Sequence, residues 1–112
     1  MSKILKFYQT SSGKIPFLKW HNKLTIHIQV RIEQRINRLI FDDIEGDCKL
    51  IHNGIFELRL HFSPGYRIYF SEYGKNIILL LTGGVKSSQK NDIKKAKEYW
   101  IDFKRRNYDK KN

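Results

Sequence analysis

A chain of 112 residues has room for one domain, residues 1–112, and for a modest core that needs no metal or disulfide staple. Lys and Arg number 22 against 11 acidic residues, a formal net charge of +11 with a pI near 9.9. That excess is far beyond what solubility requires and points to a polyanionic partner. The single Cys48 excludes an internal disulfide, and neither a signal peptide nor an apolar run of transmembrane length is present, so the expectation is a soluble cytoplasmic protein with no membrane partner.

In chain order, Lys3 to Thr10 carries Ile4, Leu5, Phe7 and Tyr8 and reads as a first strand. A polar break at residues 11–14 precedes Pro16, which a helix tolerates in its first turn, and Phe17, Leu18 and Trp20 fit a short helix ending before Thr25. From Thr25 to Phe41, Ile26, Val30, Ile36 and Ile40 fall near helical spacing, leaving Arg31, Gln34, Arg35 and Arg38 as a basic stripe on the other side. The acidic cluster Asp42, Asp43, Glu45 and Asp47 lacks the calcium-loop spacing and its bidentate Glu, so it reads as a solvated connection. Residues 48–53 read as loop, with His52, Asn53 and Gly54 as a turn. Cys48 has no partners at metal-ligand spacing and reads as neither ligand nor nucleophile.

Residues 55–90 carry both core and chemistry, as a three-stranded meander with a Gly-Gly exit. In the first strand Phe56, Leu58, Leu60 and Phe62 alternate with Glu57, Arg59 and His61; in the second, Ile68 and Phe70 alternate with Arg67, Tyr69, Ser71 and Tyr73. The two strands thus pool their polar residues on one face. Ile77 to Leu81 is apolar throughout, as suits a strand covered on both faces. Ser87 or Ser88 can cap a last helix to about Arg106, with Ile93, Ala96, Trp100 and Phe103 as its apolar stripe; the tail from Arg105 lacks a period and reads as frayed. The order strand, helix, helix, three strands, helix predicts an α+β fold in which a helical crossover joins the first strand to a small mixed sheet.

The residues Pro16-Phe17 with Trp20, Gly46-Asp47 with Lys49, Gly54-x-Phe56-Glu57-Leu58-Arg59, Gly65-Tyr66-Arg67-Ile68-Tyr69-Phe70, Gly83-Gly84 with Lys86-Ser87 and Gln89, and Asp92-Ile93 with Ala96 and Trp100 form a combination. It resembles the HigB-like branch of the RelE/ParE toxin superfamily, the "addiction module killer" toxins of type II toxin-antitoxin systems. The resemblance covers nearly the whole chain. It implies the RelE-like fold, metal- and cofactor-independent cleavage of mRNA at the ribosome, and neutralisation by an antitoxin that in this branch is typically a helix-turn-helix DNA-binding protein. It also implies a role for Arg67, which matches the arginine the superfamily uses at the start of this strand.

Cleaving RNA without a metal requires attack of a 2′-hydroxyl on its own phosphate. The protein must hold the phosphate, take the hydroxyl proton and protonate the leaving oxygen. Arg59 and Arg67, on adjacent strands with one facing, are suited to hold a single phosphate between two guanidinium forks. Lys86 and Glu57 are the candidate bases, Glu57 equally readable as an ion-pair partner that holds the arginines; Gly83 and Gly84 would let backbone approach a ligand beside Lys86. Lys90, His61, Tyr69, Arg31, Arg35 and Arg38 are candidate RNA contacts, with Tyr69 and Tyr73 readable either as base-stacking platforms or as packing against a helix. No clear general acid stands out, which keeps a ParE-like gyrase inhibitor in view as an alternative, with a non-catalytic nucleic-acid-binding module behind it. Trp20 and Trp100 belong to the core.

Overall fold

A computed structural model of the chain describes residues 3–41 and 47–108. The elements are β1 (Ile4–Phe7), α1 (Pro16–His21), α2 (Ile26–Phe41), β2 (Cys48–His52), β3 (Ile55–Leu60), β4 (Tyr66–Tyr73), β5 (Ile77–Val85), a 3-10 turn (Lys86–Ser88) and α3 (Gln89–Tyr108). They form an α+β fold around one five-stranded sheet ordered β1-β5-β4-β3-β2. β1 runs parallel to β5, as a strand returned through two helices can, and every other neighbour is antiparallel. The apolar β5 is an interior strand, as its composition predicts.

Strand alternation divides the core into two layers. One layer packs Ile32, Ile36 and Leu39 of α2 and Phe17 of α1 on Leu58, Ile68, Phe70 and Leu80 of the sheet. The other packs Ala96, Trp100 and Phe103 of α3 on Ile55, Tyr69, Leu79 and Leu81. The N-terminal end is locked to α3: the Tyr8 hydroxyl donates to Asp102 at 2.7 Å, and burial, with Asp102 beside it, pushes the Tyr8 pKa up to about 12. Arg106 bonds both Asp102 (2.7 Å) and the Gln9 carbonyl (2.5 Å), so α3 continues regularly to Tyr108 where the sequence suggested fraying.

Two further expectations are corrected. Residues 48–52 form an edge strand, pairing Cys48 with Leu58 and Lys49 with Glu57 across a register shift near the Asn53-Gly54 turn. Cys48 there is a free, half-buried thiol whose pKa burial pushes up. The buried stripe of α2 runs through Ile32, Ile36 and Leu39, with Ile28 and Ile40 packed beside it, while Ile26 and Val30 are exposed. Spacing alone did not choose between two stripes of isoleucines on that helix. Residues 42–46, which hold most of the acidic cluster, lie outside the described residues. Among the described residues no helix is long and apolar enough to cross a membrane, and no group of three or more His, Cys, Asp or Glu is placed to hold a metal ion.

The Gly-Gly exit of β5 is a packing device. A Cβ on Gly83 would fall 2.3 Å from the Trp20 ring on one face, and one on Gly84 would fall 1.9 Å from Asp92 Oδ2 on the other. Trp20 and α3 therefore close on the strand from opposite sides, with no ligand needed to explain the glycines. Ser88 ties the start of α3 by donating to Asp92 Oδ2 at 2.5 Å and accepting from the Val85 amide at 3.3 Å. Gly84→Ala is expected to displace Asp92 and to cost about 1 to 3 kcal/mol, as overpacking of a close contact does. A lowered urea midpoint with an unchanged m-value is the expected reading; an unchanged midpoint would mean that the Ser88–Asp92 contact moves without cost.

Candidate functional site

The register of the sheet builds the site. β3 and β4 pair Arg59 directly opposite Arg67, and β4 and β5 pair Arg67 with Gly84. All three lie on the face that α3 covers further along. Gly65, at φ +88°, closes the β3–β4 loop, and its carbonyl accepts from the Lys86 amide at 2.9 Å. Lys86 is thereby seated beside the hairpin tip. α3 begins only at Gln89, so it buries the Tyr69–Ser71 half of the polar face and leaves the Arg59–Arg67 end open.

Two like charges directly opposite on neighbouring strands repel, and Glu57 offsets them. Its carboxylate is fully buried and receives Arg59 Nε at 2.8 Å and Gln89 Nε2 at 2.8 Å, with Arg67 Nη1 at 3.5 Å. Burial alone would raise its pKa. The bonds from Arg59 and Gln89, with Arg67 near, outweigh that and hold the carboxyl below the ordinary glutamate range. Arg67 is 9% exposed, and its buried Nε has no hydrogen-bond partner. A buried guanidinium N–H without an acceptor is costly, and this one belongs to a side chain that lines a cleft.

That cleft, about 290 Å³, is lined by Arg59, His61, Phe62, Pro64, Arg67 and Lys86 among others. It shares its Arg59–Phe62 wall with a groove of about 440 Å³ lined by Arg31, Gln34, Arg35, Arg38 and Asp47. The basic stripe of α2 thus faces a groove. No ion pair to Arg31, Arg35, Arg38 or Lys86 occurs among the described residues. His61, exposed on the shared wall, meets Asp47 Oδ1 through Nε2 at 3.0 Å, and among the described residues its other ring nitrogen has no hydrogen-bond partner.

The structure therefore brings together Arg59, Arg67, Lys86, His61, Arg31, Arg35 and Arg38, and it leaves three other candidates off the cavity walls. Lys90 is exposed on the first turn of α3 and lines neither cavity. Tyr69 is 0% exposed beneath α3, so it has no face for a base; burial and then the Glu57 charge push its phenol pKa up, and it stays neutral. Glu57 lies under the arginines with no exposed surface, which excludes contact with a substrate and favours the ion-pair reading over base work. Two site residues were not singled out from the sequence as parts of the site. Gln89 clasps the Glu57 carboxylate, and the Phe62 ring lies 3.6 Å below the Arg31 guanidinium.

No family model matches the chain. An uncharacterized protein of Haemophilus influenzae is 42% identical over 84 residues, covering 74% of this chain and 84% of that protein. Among solved structures, an Escherichia coli toxin RelE carrying two arginine-to-alanine substitutions, in its free state, aligns with a TM-score of 0.59 at 18% identity, over 80% of this chain and 90% of the other. At that identity the likeness is one of fold, and it agrees with the mixed five-stranded sheet and C-terminal helix described above. The chain belongs to the family of the Haemophilus influenzae protein and has the RelE-like fold.

Proposed function

We propose that this protein is the toxin of a type II toxin-antitoxin pair, of the HigB-like branch, and that it cleaves mRNA at the ribosome without a metal until an antitoxin, typically a helix-turn-helix protein, covers it. The observation that carries this reading is Arg67, a nine-tenths buried guanidinium with an unpartnered Nε, lining a cleft with Arg59 and Lys86. An anion of phosphate size entering that cleft meets the guanidinium charge of Arg67 with Arg59 and Lys86 beside it. Six cationic side chains, Arg31, Arg35, Arg38, Arg59, Arg67 and Lys86, border the cleft and groove against one lining carboxylate, Asp47, which already meets His61.

In the proposed reaction the scissile phosphate sits between Arg59 and Arg67, fixed on adjacent strands before substrate arrives, so little reorganisation is needed when charge builds on its oxygens. The 2′-hydroxyl oxygen bonds to phosphorus as the bond to the 5′-oxygen breaks, giving a 2′,3′-cyclic phosphate and a free 5′-hydroxyl. His61, oriented by Asp47, takes the hydroxyl proton on the ring nitrogen away from Asp47, and Lys86 at the cleft is the second group, able to give a proton to the leaving 5′-oxygen. Glu57 holds the arginine forks without touching the RNA.

Arg67→Ala is expected to lower cleavage by about 100-fold or more, the scale on which a lost charge-stabilising donor acts, while Glu57 remains held by Arg59 and Gln89 and the fold persists. Primer extension on several transcripts after brief induction reads this directly, with and without a translation start on the reporter. Discrete cuts within translated regions, lost in the variant, are expected. Intact RNA with DNA damage would overturn the reading in favour of a gyrase poison.

Glu57→Gln separates anchoring from chemistry. Removing one member of a buried ion pair costs about 3 kcal/mol, so the variant should unfold at a lower urea concentration at neutral pH. The native carboxyl has a depressed folded pKa, so its contribution to stability is present above the unfolded value of about 4.3 and is lost as pH falls through the folded pKa below that. Acidification through this window should therefore destabilise the variant less than the native chain. Equal slopes would contradict the anchoring role.

A further inference from the structure

The Arg31 guanidinium carbon lies 3.6 Å from the centroid of the Phe62 ring, and that ring packs in turn on Tyr66 at 5.2 Å. Phe62 lines both cavities, Arg31 lines the outer groove, and Arg31 itself is exposed. A guanidinium carbon this close to a ring centroid is held against the ring, and the exposed Arg31 side chain can take a second π system on its outer side. Charge alone does not call for this arrangement, because Arg35 and Arg38 already supply cations along the same groove wall.

From the Arg31–Phe62 stack at the junction of the two cavities, we infer that Arg31 is a positioning residue on which one unpaired nucleobase of a single-stranded RNA stacks, next to the nucleotide held by Arg59 and Arg67. The inference rests on the RNA-cleaving reading above and adds to it a binding register. A strand whose phosphate enters the inner cleft continues along the shared Arg59–Phe62 wall and meets the Arg31 plane before it reaches Arg35 and Arg38. Guanidinium planes and aromatic rings are the usual platforms for splayed bases, and they tolerate different bases because every base has a π face. Lysine at position 31 would keep the charge and lose the plane.

The test is equilibrium binding of the full chain to short 2′-O-methyl oligoribonucleotides, a series in which one base at a time is removed and all phosphates are kept. These ligands lack the attacking hydroxyl, so the readout is independent of cleavage, which the Arg67→Ala transcripts test separately. For the native chain, removing one particular base should weaken binding by about tenfold, in the range measured for a single stacked base. Arg31→Lys should abolish that penalty and leave the slope of log affinity against log salt unchanged, because the number of phosphate contacts is the same. Phe62→Leu should diminish the same penalty by releasing the guanidinium plane. The inference is overturned if no single base matters to the native chain, if no oligonucleotide binds, if Arg31→Lys retains the full penalty, or if it weakens all ligands equally with or without the base.

Discussion

Glu57 is the carboxylate on which the site depends. Pairing β3 with β4 sets Arg59 against Arg67, an arrangement that repels unless an anion lies close to both. The sheet supplies that anion on the same face, two residues before Arg59, and encloses it completely. Gln89, the first residue of α3, satisfies its second oxygen. One buried carboxylate thus links the hairpin to the start of the C-terminal helix and sets where that helix stops covering the sheet. Arg59 makes the short bond to Glu57 and Arg67 the long one, so the positive charge left over is concentrated on Arg67.

The cleft sits at the limit of α3 coverage. The packing of Trp20 on Gly83 and of Asp92 on Gly84 holds the end of β5 between α1 and α3, and Lys86 leaves the strand immediately afterwards beside Gly65. The arginines of α2 extend the positive surface away from this point along a groove that an extended polyanion can follow. Catalysis of the proposed kind asks for rigid, desolvated cations next to an open track. The inner cleft and outer groove divide those two requirements between a buried arginine and exposed ones.

Much of this was legible in the sequence because strand alternation is strict. Arg59 and Arg67 were expected on one face, and the register places them opposite each other; Trp100 falls in the α3 core as its helical spacing implied, and Trp20 packs on the strand end. What was not legible depends on contacts distant in sequence. Tyr69 shares the polar face of Arg67, but whether that face meets water or α3 is decided by a helix twenty residues later. The edge strand β2 carries an exposed Leu50 and only half-buried apolar partners, so its alternation is weak; the Asn53-Gly54 dipeptide was its usable signal, since that pair favours tight hairpins. Phe62 continued the apolar alternation of β3, and nothing local tells that its ring is shared with an arginine of α2. Gln89 followed a Lys-Ser-Ser turn and gave no sign that it would reach back across 32 positions to Glu57.

The most direct test of the account is the Nε–H resonance of Arg67 in ¹⁵N–¹H spectra, followed while a non-cleavable 2′-O-methyl oligoribonucleotide is added. Binding should set a phosphate against that guanidinium, so its signal should move and reach saturation together with the affinity measured for the same ligand. If the signal stays unchanged at saturation, the phosphate does not sit at Arg67, and the central claim fails.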